Sequence, residues 1–126
     1  MKIKTLILLI TTLALVSGCA AAQVTLIPGA ERVVLHKGDA PRNAVEVGPV
    51  EVTHGYGCGA FGAKGTYTGA YQVLRNKAWR LGANFVRIDV ITRPFMNTRQ
   101  GCFDNRFILL GVAFRVPPHT PAKGNP

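Results

Sequence analysis

Thr66 to Ile91 reads TYTGAYQVLRNKAWRLGANFVRIDVI, one helix delivered straight into one strand. Ala70, Val73, Leu74, Ala78 and Leu81 recur at spacings of three and four, so on a 3.6-residue turn they form a single apolar stripe flanked by Tyr71 and Trp79. Gln72, Arg75, Asn76 and Arg80 are expected to face away from it. The helix should open near Thr68 or Gly69, with Thr68 as its cap. Gly82 stands where a left-handed cap belongs, and Arg75, Lys77 and Arg80 in the last turns suit the helix dipole. Beyond Asn84 the period changes to two, and Val86, Ile88 and Val90 are expected on one strand face beneath the helix.

Working outward, Arg106 to Val116 (RFILLGVAFRV) predicts a last strand, with Ile108, Leu110, Val112, Phe114 and Val116 on one face. Phe107, Leu109, Gly111 and Ala113 form the other, and apolar residues on both faces predict a central or well-covered position. Between the two strands, TRPFMNTRQGCFD (92–104) reads as a long polar connection, mobile except where Cys102 ties it down. Upstream, ERVVLH (31–36) has the composition of a short strand, and 37–43 reads as a loop. Val45, Val47, Val50 and Val52 mark another strand. Gly48-Pro49 predicts a bulge or break there, leaving Val50 to His54 as the strand proper. The expected fold is α/β in the order β-β-α-β-β, one helix packed on a small mixed or antiparallel sheet.

The N-terminus decides the address. MKIKTLILLITTLALVSGC (1–19) has two lysines, an apolar run and small residues, as a secretory signal peptide has, and its apolar run is short for a membrane span. Val16-Ser17-Gly18-Cys19 looks like a lipobox, in which the chain is cut before a cysteine that carries acyl chains such as palmitate. The expected organisation is therefore signal peptide 1–18, lipidated N-terminus and tether 19–30, domain 31–117 and a disordered tail 118–126. By likeness to sorted lipoproteins, Ala20 after the cysteine implies the periplasmic face of the outer membrane.

Setting Cys19 aside leaves Cys58 and Cys102, an even pair in an oxidising compartment, which predicts a disulfide. Closing a loop of that size contributes roughly 3 to 4 kcal/mol in the chain-entropy model. Of 126 residues carrying 15 Lys+Arg and 6 Asp+Glu, loss of Lys2 and Lys4 with the leader leaves 13 cations against 6 acids. Arg75, Arg80, Arg87, Arg93, Arg99 and Arg106 are the candidate interaction residues. On an exported chain such cations meet phosphates of anionic glycolipid or an acidic protein face rather than nucleic acid.

No catalytic pattern of comparable clarity occurs. Gly57, Gly59 and Gly62 formally satisfy G-x-G-x-x-G, but Lys64, Gly65 and Thr66 follow where that fingerprint needs an opening helix. A loop pinned by Cys58 accounts for the glycines more simply. His54 and Cys58, four apart, are the one pair resembling an activated nucleophile, and the expected disulfide removes the thiol. The sequence therefore predicts a non-enzymatic chain with no cofactor and no metal.

The order of strand, cysteine loop, Leu-Arg-Asn-Lys-Ala helix, Leu-Gly-Ala-Asn-Phe-Val, cysteine and strand resembles a family of small bacterial outer-membrane lipoproteins over about Val45 to Val116. That family includes domains of unknown function and the lipoprotein sensor of the Rcs envelope-stress phosphorelay (RcsF-like). The resemblance implies the same fold and a disulfide between Cys58 and Cys102, whereas the sensor's second cysteine pair falls here on apolar residues near Ile91 and Ile108. The sensor's long proline-rich linker is also missing from this sequence. The expected function is a lipid-anchored envelope module for protein interaction or surface maintenance. Envelope-stress sensing and binding of anionic glycolipid are the alternatives.

Overall fold

The computed structural model describes residues 23–59 and 62–118. The leader 1–18, Cys19 and the tail beyond Pro118 lie outside the described residues. Helix α1 spans Tyr67–Arg80 and packs on one face of a four-stranded sheet. The sheet is built from β1 (Val34–His36), β2 (Val45–His54), β3 (Phe85–Thr92) and β6 (Phe107–Arg115) in the order β1-β3-β6-β2. β1 runs parallel to β3, and β6 is antiparallel to both β3 and β2. A separate hairpin joins β4 (Phe95–Asn97) to β5 (Cys102–Asp104). The expected β-β-α-β-β order is the main sheet with its helix, and the hairpin is inserted between its last two strands.

Both ends of α1 are set by side-chain chemistry, and the N-terminal end differs from expectation. Thr66, not Thr68, is the cap: its backbone is extended and its hydroxyl accepts the Gly69 amide at 3.0 Å. Two threonines stand in register with the helix start, and the one whose hydroxyl reaches an amide three residues on wins. At the other end Gly82 has φ 76°, its amide donates to Trp79 and the Ala83 amide donates to Ala78. This paired closure satisfies carbonyls the helix leaves open, at a φ that favours glycine.

Beneath α1 lies the core: Leu74, Ala70 and Ala78 against Val50, Val52, Val86, Ile88, Leu109 and Ala113, all buried. Removing one leucine such as Leu74 from water contributes about 1.5 to 3 kcal/mol. Leu81 leaves the expected stripe and is exposed. In β3 the register slips between Ile88 and Val90, so alternation changes phase: Val90 turns out to solvent and Ile91 packs against the core. The expected Val86, Ile88, Val90 face is thus Val86, Ile88, Ile91. β2 runs unbroken through Pro49, its irregularity lying between Glu46 and Gly48. In 31–36 only Val34–His36 is strand, because Ala30–Arg32 forms a 3-10 turn.

β6 is central in hydrogen bonding, as expected, but the helix covers only one of its faces. Leu109 and Ala113 lie under α1, while Leu110 on the opposite face is exposed beside Ile108 and Val112. At the free edge of β2, the Lys77 ammonium donates to the Glu51 carbonyl at 2.7 Å.

Two segments read as loose are held. Residues 92–104 contain the β4/β5 hairpin, whose turn uses Gly101 at φ 65°. Thr25 to Ala30, read as tether, is part of the fold: Gly29 and Ala30 are buried, and Gly29 at φ 96° passes so close to Trp79 that a Cβ there would collide with the indole.

Candidate functional site

The stapled end of the molecule gathers more of the sequence-predicted residues than any other region. Cys58 and Cys102 are disulfide-bonded with Cα atoms 5.5 Å apart, spanning 44 residues. Cys58 also bridges Asp104 in antiparallel fashion, so the glycine loop continues the hairpin as a partial third strand. Asn105 donates its amide to the Gly57 carbonyl at 3.4 Å and accepts the Gly65 amide at 3.1 Å. At this crossing, a Cβ on Gly55 would stand 2.6 Å from the Asn105 oxygen, and one on Gly65 would strike the His54 carbonyl. Close backbone approach explains both of these glycines.

Asp104 anchors the platform. It is 1% exposed, and its carboxylate accepts from the Arg106 amide at 3.0 Å and from the Arg106 guanidinium at 2.6 to 3.1 Å. The Arg106 hydrogen bond holds the Asp104 carboxyl below the usual carboxylate range, against the opposing effect of burial. Exposed apolar side chains stand on the same hairpin. Met96 and Phe103 pair across the hairpin and are 60% and 49% exposed, with Tyr56 at 62% on the adjoining loop. None of these three follows from strand or helix periodicity. The signal available was hydrophobic residues inside a segment otherwise polar.

The pair His54 and Cys58 forms no nucleophile. Cys58 is oxidised, and buried His54 accepts the Thr66 amide on Nδ1 at 2.9 Å, with Gly69 packed against its ring. The histidine therefore braces the helix start. Beside it, Tyr71 donates to the Tyr67 hydroxyl at 3.3 Å, and the Arg93 guanidinium lies 5.9 Å from the Tyr67 ring. Burial and that bond push Tyr71 up to about 12, whereas accepting it lowers Tyr67.

The six candidate arginines do not converge. Arg93, Arg99 and Arg106 belong to the hairpin and its flanks, and Arg106 is committed to Asp104. Arg75 and Arg80 lie on α1, where Arg75 donates to the Val33 carbonyl at 3.2 Å. Arg87 lies on the open sheet face, paired with Asp89 at 2.7 Å and 5.9 Å from the Phe114 ring.

Each residue of Leu-Arg-Asn-Lys-Ala has structural work: Leu74 and Ala78 fill the core, and Arg75 and Lys77 hold carbonyls of Val33 and Glu51. Asn76 takes the N-terminal segment, accepting from the Ile27 amide at 2.9 Å and donating to the Thr25 carbonyl at 2.8 Å. In Leu-Gly-Ala-Asn-Phe-Val, the Asn84 side chain pairs with the backbone of Val116 in both directions, at 2.7 and 2.8 Å. The motif is a junction of helix, β3 and β6.

Among the described residues no group of three metal-ligating side chains is clustered, and no helix is long and apolar enough to cross a membrane. Neither a protein-family model, nor a curated protein, nor a solved structure matches this chain.

Proposed function

We propose that the chain is a non-enzymatic lipoprotein, anchored through Cys19 at the periplasmic face of the bacterial outer membrane, whose stapled end is a docking surface for another envelope protein. The observation that carries the reading is the exposed, cross-strand-paired Met96 and Phe103 on a backbone held by the Cys58–Cys102 bond and by buried Asp104. Preordered apolar side chains lose little conformational freedom on association, which favours a protein partner. Arg93 and Arg99 at the margin suit a partner with an acidic rim. The reading joins this surface to the lipobox and to the resemblance to outer-membrane lipoproteins.

Photo-crosslinking in intact cells tests it. A crosslinker at Met96 or Phe103 should give a discrete adduct, one at Thr53 on the open sheet face should not, and Phe103→Asp combined with the Met96 crosslinker should abolish the adduct. Equal adducts from all positions, or none from Met96 and Phe103 in acylated protein, would sink the assignment.

A further inference from the structure

We infer that the strap-covered side of α1 is the surface this protein lays against its own anionic membrane. The inference rests on the anchoring of Cys19 proposed above.

The geometry begins with Asn76. At 3.6 residues per turn, two steps beyond core-facing Leu74 place Asn76 about 200° around the helix, on the side away from the sheet. It is nonetheless 8% exposed, because Thr25 and Ile27 cross over it and are bonded to its amide. The chain therefore leaves the domain across the back of α1. Only five residues separate Cys19 from Thr25. Fully extended, those six steps reach about 20 Å, so an acylated Cys19 keeps the back of the helix next to the headgroups.

Charge is distributed to match. Around the strap stand exposed Arg32 and Arg80 and half-buried Arg75, against the acid Glu31, itself bonded to the Gly29 amide. On the opposite side, Glu46 and Glu51 lie on the open sheet face, Asp89 pairs with Arg87, and Asp39 and Glu46 add to the field at Arg87. A face that carries three cations beside one committed acid is drawn to a negative surface, each cation near the lipid contributing attraction within a screening length of about 8 Å at physiological salt.

Trp79, the one tryptophan of the chain, is the reporter. It lies half-buried on the strap side, with the Arg32 guanidinium 5.1 Å from its ring. The full acylated protein is reconstituted in phosphatidylcholine vesicles, with or without about one-third phosphatidylglycerol, containing a headgroup-spin-labelled lipid. Trp79 emission should be quenched in the anionic vesicles. Quenching should fall at least about twofold in neutral vesicles or near 1 M salt, where the screening length shrinks to about 3 Å. Arg80→Gln should lower it in the same direction without touching Trp79, and Asn76→Ala should do so by releasing the strap. A Trp79→Phe, Leu110→Trp protein, reporting from the open sheet face, should remain unquenched. Equal quenching at positions 79 and 110, or none at 79 in vesicle-bound acylated protein, overturns the orientation. An unacylated Cys19, or protein that stays in the supernatant, instead overturns the anchored reading itself.

Discussion

The N-terminal strap and the β4/β5 hairpin both lie outside the main sheet, and they are fastened by opposite means. The strap buries Gly29 and Ala30 and gives its backbone groups to Asn76. The hairpin exposes Phe95, Met96 and Phe103 and has Cys58–Cys102 as its covalent tie. A segment that buries its own atoms needs no cross-link, whereas one that keeps apolar side chains outside forgoes that stabilisation and needs another constraint. What the hairpin lacks in burial is thus what leaves its apolar side chains at the surface.

The comparison breaks most visibly at the staple. Replacing both cysteines, Cys58→Ser with Cys102→Ser, should lower unfolding free energy by roughly 3 to 4 kcal/mol in denaturant titrations. Amide exchange should rise first in the hairpin and glycine loop, while Ile27 stays protected. If both segments loosen together, they are not independently fastened. Asn76→Ala attacks the other side. It strands the Ile27 amide and the Thr25 carbonyl and should cost about 1 to 3 kcal/mol, with new proteolytic cleavage ahead of Ala30 and none in the hairpin.

The smallest effect depends on acid. Because the folded Asp104 carboxyl sits below its unfolded range of about 3.9, its contribution is complete above that value and drains away as pH falls through the folded one. Asp104→Asn should flatten the drop in stability below about pH 4 relative to wild type. An unchanged acid limb would mean that the Asp104–Arg106 pair does not hold the platform. Asn76→Ala should leave that limb as it is.

The same contrast explains what could be read in advance. Cysteines mark their partners by number and compartment, so the staple was legible, as were α1, Gly82 and the period change into β3. Asn76 was assigned correctly to the polar side of the helix, but periodicity states only which side faces the sheet, and a short strap crossing the far side leaves no periodic trace. Val90 failed for a related reason. A single bulge residue shifts the phase of every position after it, and alternation cannot announce its own interruption. The hairpin was hidden by length, since three-residue strands are too short for a period to repeat. Met96 and Phe103 therefore looked like part of a polar loop.

Lys77 has a consequence beyond the bond it makes. β2 is a ten-residue strand at the rim of the sheet. A bare rim of that length invites strand-to-strand association between neighbours. Here the ammonium already occupies the Glu51 carbonyl, Pro49 offers no amide, and the irregularity at Gly48 bends the line of donors. Crowding can therefore bring these domains side by side without zipping their sheets into a continuous ribbon.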